Sequence, residues 1–130
     1  MKLPLLILGS LLATCAFGQS TSFHNTCTDI KLNDDGSGFT ATCKKRDGSP
    51  VQAAFTFQGL QNIDGTLTFI GGAPTNYQQT CNTLRLQVPS KTMQLPAPRL
   101  TAQCKVKSGP TKATSINLGH IQNIDGRLTQ

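Results

Sequence analysis

Apolar residues recur along much of this chain at every second position. Ile30 and Leu32, then Val51, Ala53, Phe55 and Phe57, alternate with polar neighbours, and Leu84 with Leu86 and Ile116 with Leu118 repeat the pattern further on. A period of two is that of a strand with one buried face, because successive side chains leave the backbone on opposite sides. Asp35-Gly36, Asp47-Gly48, Asp64-Gly65 and Asp125-Gly126 interrupt these runs. Asp-Gly between alternating segments signals a hairpin, since both residues accept positive φ. The pattern therefore predicts an all-β chain, rich in hairpins, with strands of about five residues and no substantial α-helix. Asn62-Ile-Asp-Gly65 and its later twin read as a tight helical turn running into a hairpin, with Ile63 and Ile124 turned inward. Phe39, Phe55, Phe57 and Phe69 are expected in the core.

The N-terminus breaks the pattern. Lys2 is followed by an apolar run through Leu3, Pro4 and on to Ala13, and Ala16-Phe17-Gly18 places small residues at the two positions a signal peptidase reads. Residues 1–18 read as a secretory signal peptide, with the mature chain starting at Gln19. A membrane anchor would need roughly 20 apolar residues and a basic stop-transfer cluster. A lipid-attachment box is imitated by Leu12-Ala-Thr-Cys15, but Thr before the Cys fits it poorly. The expectation is a secreted, extracellular domain over 19–130.

That domain is a tandem duplication, the first thing to test for in any chain. Phe23-His-Asn-Thr-Cys27-Thr-Asp-Ile-Lys-Leu32 aligns with Tyr77-Gln-Gln-Thr-Cys81-Asn-Thr-Leu-Arg-Leu86 at an offset of 54 residues, and 39–69 aligns with 100–130 without a gap at an offset of 61. Within the second block Thr40-Ala-Thr-Cys43-Lys44 meets Thr101-Ala-Gln-Cys104-Lys105, and Gln61-Asn-Ile-Asp-Gly65 recurs whole as Gln122-Asn-Ile-Asp-Gly126. The repeats span about 22–70 and 76–130. The change of offset places a seven-residue insertion within 87–99, where Pro89, Pro96 and Pro98 predict an exposed loop.

Composition narrows the chemistry. The chain of 130 residues carries 12 Lys+Arg and 6 acidic residues, all of them Asp, with no Trp and one Tyr. Subtracting residues 1–18 removes Lys2 and one of the five cysteines, leaving a net charge of 11 − 6 = +5 and Cys27, Cys43, Cys81 and Cys104. An even cysteine count in a short secreted chain points to disulfides, and the absence of a close Cys-x-x-Cys pair argues against zinc. Cys27 with Cys43 and Cys81 with Cys104 is the simplest pairing that treats both repeats alike. The missing aromatic platforms speak against single-stranded nucleic acid as a partner. No membrane insertion, metal or cofactor is expected. His24 and His120 read as surface or packing residues.

An aromatic-x-x-Thr-Cys start, a Thr-Ala-x-Cys strand, a turn with Gly, an alternating strand and Asn-Ile-Asp-Gly-x-Leu occur in that order in both repeats. In combination these motifs resemble the cyanovirin-N homology family of lectins over essentially all of residues 19–130. The proline-containing insertion resembles its fungal members more than the cyanobacterial founder. The resemblance implies a pseudo-symmetric all-β fold in which each half takes a hairpin from the other, with cysteines paired inside each repeat. It also implies non-enzymatic, metal-free binding of oligosaccharides rich in α1,2-linked mannose in one or two pockets. The native form would be a monomer, or a domain-swapped dimer hinged at Gly71-Gly-Ala-Pro-Thr75.

Carried over residue by residue, one pocket would combine Asn25, Thr26, Lys44 and Arg46 with Asn123, Ile124 and Asp125. The other would combine Gln61, Asn62 and Asp64 with Asn76, Gln79, Thr80, Lys105, Val106 and Lys107. Carboxylates, amides and turn backbones suit a ring of hydroxyls, which both donate and accept. Arg46 and Val106 depart from the family pattern, which often places a threonine hydroxyl after the second cysteine of each repeat, and Gln61 replaces a common acidic residue. These departures favour the second pocket slightly. They also sustain a rival reading: a secreted, disulfide-stabilised β scaffold with decayed sugar sites that acts through protein or anionic-surface contacts. A glycoside hydrolase would need two carboxyl groups facing one bond, whereas Asp64 and Asp125 are duplicates expected in different pockets.

Overall fold

The two repeats fold alike. In a computed structural model, which describes residues 21–130, a single 3-10 turn at Phe23–Asn25 leads into β1 (Cys27–Leu32), β2 (Gly38–Lys44) and β3 (Pro50–Thr56), then a hairpin of β4 (Leu60–Ile63) and β5 (Thr66–Phe69). The second repeat runs through a 3-10 turn at Tyr77–Gln79, β6 (Cys81–Gln87), β7 (Arg99–Lys105) and β8 (Thr111–Asn117), and ends in the hairpin β9 (Gln122–Ile124) and β10 (Arg127–Thr129). β1-β2-β3 and β6-β7-β8 form two antiparallel three-stranded sheets, and each hairpin is a two-stranded sheet of its own. The signal peptide read at 1–18 lies outside the described residues.

The hairpins are exchanged. β5, from the first repeat, lies against β8, where Leu67 N donates to Thr114 Oγ1 at 3.2 Å. β10, from the second repeat, lies against β3. A two-stranded hairpin is marginal alone, so each one borrows a sheet from the other half. Inside each sheet the cysteines face each other across the first strand pair, Cys27 opposite Cys43 and Cys81 opposite Cys104. Both pairs are disulfide-bonded, with Cα atoms 4.1 Å apart. This is the pairing that the repeat implies.

The core is lopsided. Phe39, Phe55 and Phe57 from the first repeat form an aromatic chain with Phe23 and Tyr77, with neighbouring ring centroids 4.9 to 6.2 Å apart. The equivalent positions of the second repeat carry Leu100, Ile116 and Leu118, and of these Leu100 and Leu118 are fully buried. Phe69 is only half-buried; its ring meets exposed His120 edge-on at 5.3 Å. The insertion between β6 and β7 is mostly exposed as expected, except for Pro98, which is buried and accepts from Leu118 N at 2.8 Å.

Two expectations about Asn-Ile-Asp-Gly fail together. No helical turn precedes the hairpin: the motif is the end of its first strand and its turn, with φ of 51° and 91° at Asp64 and Gly65 and 53° and 89° at Asp125 and Gly126. Paired positive φ values are those of a type I′ turn, whose twist matches the strands it joins. Ile63 and Ile124 point outward, 46% and 45% exposed. Alternation from buried Leu60 places Asn62, not Ile63, on the inward side, and Ile121 does the same for Asn123.

β1 and β6 each carry a bulge at equivalent places, between Thr28 and Lys31 and between Asn82 and Arg85. The bulged residue has φ 51° at Asp29 and φ 55° at Thr83. Asp tolerates this left-handed conformation, whereas a β-branched residue does not. Thr83→Asn is therefore expected to stabilise the protein by about 1 kcal/mol, raising the melting temperature by roughly 4 °C in a thermal unfolding scan. The side chain of Thr83 is exposed, so the exchange removes little packing.

The buried hydroxyl of Tyr77 joins the halves, donating to Gly36 O of the first repeat. Burial, and secondarily the charge of Asp35, push its phenol well above the ordinary tyrosine range. The folded state therefore keeps the proton while the unfolded chain loses it above about pH 10. Stability from this group is full below that pH and declines above it. Denaturant midpoints should fall between about pH 9 and 11 in the wild type, and less in Tyr77→Phe. Because this is the chain's single Tyr, tyrosinate absorbance should appear only as the protein unfolds.

Candidate functional site

Where each exchanged hairpin meets the foreign sheet, the same hydrogen-bond network is built twice. At the first junction Asn123 Nδ2 donates to Thr26 Oγ1 and to Lys44 O, both at 2.9 Å, while its Oδ1 accepts from Gly126 N at 2.7 Å. Asp125 Oδ1 accepts from Arg46 N at 2.9 Å. At the second junction Asn62 Nδ2 donates to Thr80 Oγ1 at 3.0 Å and to Lys105 O at 2.9 Å, and its Oδ1 accepts from Gly65 N at 2.6 Å. Asp64 Oδ1 accepts from Lys107 N at 2.7 Å. Each junction thus joins side chains of one repeat to the backbone of the other.

This geometry divides the labour within the motif. Both amide protons of Asn62 and of Asn123 are spent on the protein, so these residues fasten the hairpin. Each Asp spends one carboxylate oxygen on a backbone N–H and keeps the other as an acceptor. Thr26 and Thr80 accept from the Asn amide, which leaves the hydroxyl proton of each free to be donated outward. Asp64, Asp125, Thr26 and Thr80 are all exposed. The arrangement offers fixed acceptors and donors at the surface. All four cysteines among the described residues are consumed in disulfides.

At the first junction the surface folds into a groove of about 440 Å³, within the size range of small-ligand sites. Lys44, Lys45 and Arg46 form one wall, Asn123, Ile124 and Asp125 the other, with Thr21, Thr26 and Gly48 between them. Asn25, the remaining candidate there, turns its amide to Ser22 O at 3.2 Å. Lys45 was not among the sequence candidates. Its signal lay in the repeat itself, because Lys45 corresponds to Val106 at the offset of 61 and lies between two residues that were chosen.

The repeat alignment also sharpens the departures from the family pattern. Arg46 is equivalent to Lys107, and both lend a backbone N–H to the Asp of the opposing hairpin; Val106 is equivalent to Lys45. Around the second junction, Gln61 Nε2 donates to Pro74 O at 3.0 Å, so its amide is engaged by the Gly71–Thr75 linker. Asn76 N donates to Leu60 O and Gln79 N to Asn76 O. These backbone bonds set the course of the chain into the 3-10 turn at Tyr77–Gln79, and bring neither side chain into the Asn62–Asp64 network.

The architecture has counterparts among known proteins. A CVNH domain family model matches residues 23–129. Among solved structures, microvirin in complex with mannobiose is 30% identical, with a TM-score of 0.67 over 83% of this chain and 96% of its own. The Gibberella zeae CVNH protein is 23% identical, with a TM-score of 0.66 over 82% and 94%. A variant of MoCVNH3, solved with (N-GlcNAc)4, is 18% identical, with a TM-score of 0.68 over 87% and 99%. Among curated proteins nothing matches. Matched over almost its whole described length and sharing its fold with microvirin, the chain belongs to the CVNH domain family, that of the cyanovirin-N homologue lectins.

Proposed function

We propose that the protein is an exported lectin that binds mannose-rich oligosaccharides, with the groove at the first junction as a binding site. One observation carries the reading: the groove presents the Asp125 carboxylate and the Thr26 hydroxyl in fixed positions, both held by bonds that cross between the repeats. Fixed polar groups cost little to order on binding, which is what a small, well-hydrated ligand requires. The complex of microvirin with mannobiose supports mannose as the sugar. The second junction repeats the same groups around Asp64. Two sites on one molecule would gain strength against a branched glycan through effective concentration.

Export agrees with the two disulfides, which persist in oxidising compartments, and with the signal peptide read at residues 1–18. The binding claim is tested on a glycan array with wild type, Asp125→Ala and Asp64→Ala. Mannose oligosaccharides should be retained by the wild type, and Asp125→Ala should weaken monovalent binding at the first junction by about tenfold, the effect of losing one charged hydrogen bond. An array on which the wild type binds no glycan overturns the proposal.

A further inference from the structure

Most of the protein's positive charge sits at the two junctions. Of the 11 Lys and Arg in residues 19–130, Lys44, Lys45 and Arg46 flank the first junction and Lys105, Lys107 and Lys112 the second, against Asp47, Asp125 and Asp64 among the acids. The junctions thus carry a net +3 of the domain's +5. Asp47 folds back on its own turn, accepting from Ser49 N at 2.9 Å and Ser49 Oγ at 2.6 Å. A neutral sugar would make no use of this field.

The cations also recur in a way that ordinary duplication does not explain. A methyl group placed on Gly126 would lie 2.6 Å from Val51 Cγ1 and 3.0 Å from Lys45 Cγ; one placed on Gly65 would lie 2.5 Å from Val106 Cγ1 and 3.4 Å from Lys112 Cδ. Lys45 is equivalent to Val106, and Val51 to Lys112. Each turn glycine is thus packed between one valine and one lysine stem, but the two have changed places between the junctions. The stem is held against the turn while the ammonium group stays at the surface. A lysine stem therefore packs on the turn glycine at each junction, from a different sequence position in each repeat.

We infer that these junctions select oligosaccharides carrying a phosphate or sulfate ester, with the sugar in the groove and the ester among the cations. The inference rests on the lectin reading above and names the ligand class of the same site. Arg46 supplies a planar fork matched to a tetrahedral oxyanion, and Lys44 and Lys45 supply point charges beside it. In an open groove each such contact is screened, so the preference is moderate and salt-sensitive.

The test is calorimetric titration of the purified protein with a mannose disaccharide, its phosphate monoester and its sulfate monoester, at about 50 and 200 mM salt. At the lower salt an ester should bind about tenfold more tightly than the neutral sugar, and the gap should shrink at the higher salt. The tighter of the two esters identifies the group. Lys45→Gln with Lys112→Gln should bring the ester preference below about threefold, while Lys31→Gln with Lys91→Gln, which removes the same charge elsewhere, should keep it. Neutral and esterified sugars binding alike, or both double variants reducing the preference equally, would overturn the inference and leave the lectin reading standing. Competition by inorganic tripolyphosphate as effective as the ester would also overturn it, since charge alone would then suffice. Failure of every sugar to bind would remove both.

Discussion

Replacing Cys81 and Cys104 with serine is expected to lower the unfolding free energy by about 3 kcal/mol, and the same change at Cys27 and Cys43 to lower it by nearly as much. The bridges close spans of 23 and 16 residues, and loop entropy grows only with the logarithm of length, so the two differ by about 0.3 kcal/mol. Removing both forfeits roughly 6 kcal/mol, comparable with the whole stability of a small domain. The quadruple variant should be unfolded, or nearly so, in water. Equilibrium urea unfolding of the three variants checks this, and both single-bridge variants should retain a cooperative transition. Two short repeats leave no reserve elsewhere, because neither half can bury its sheet without the other's hairpin.

Asn123→Ala and Asn62→Ala carry the second large effect. Each removes an amide that donates twice across the junction and accepts once from the turn glycine. Counting about 1 kcal/mol for each lost hydrogen bond, the expected cost is roughly 2–4 kcal/mol per variant. Asn→Asp at either position keeps the acceptor for the glycine N–H but loses both donors and sets a carboxylate against a carbonyl, so it should be no better tolerated. Hydrogen exchange distinguishes this from a general loss of stability. In Asn123→Ala, the amides of β9 and β10 should lose protection before those of β1–β3, and the Asp125 site should fail with them.

Much of this molecule could be read from its residues, and the gaps have a common cause. Alternation and Asp-Gly pairs revealed strands and hairpins because both are local properties, and the duplication fixed the disulfide pairing because symmetry left one simple choice. The direction of Ile63 and Ile124 was misjudged because the pentapeptide was judged by hydrophobicity rather than by its phase from Leu60 and Ile121. That phase turns the asparagines inward, where each meets a carbonyl and a threonine of the other repeat. Lys45 is missed although its repeat equivalent Val106 is a candidate, because nothing local marks it among three consecutive basic residues; packing against Gly126 shows that its spatial counterpart is Lys112 rather than Val106. Residues joined within one strand pair are legible from local pattern, whereas those joined by the exchange are reached only through the resemblance to a known family.

The exchange also imposes an order of completion on the two sites. The second junction is tied between residues 43 apart, Asn62 to Lys105 and Asp64 to Lys107, whereas the first must close 79 residues from Arg46 to Asp125 and 97 from Thr26 to Asn123. The Asp125 site exists only once residues 122–129 have been delivered and docked onto a sheet assembled long before. Long-range closure of this kind is slow relative to hairpin formation. The groove therefore arrives last, and its closing wall is the part of the molecule most exposed to loss at the end of the chain.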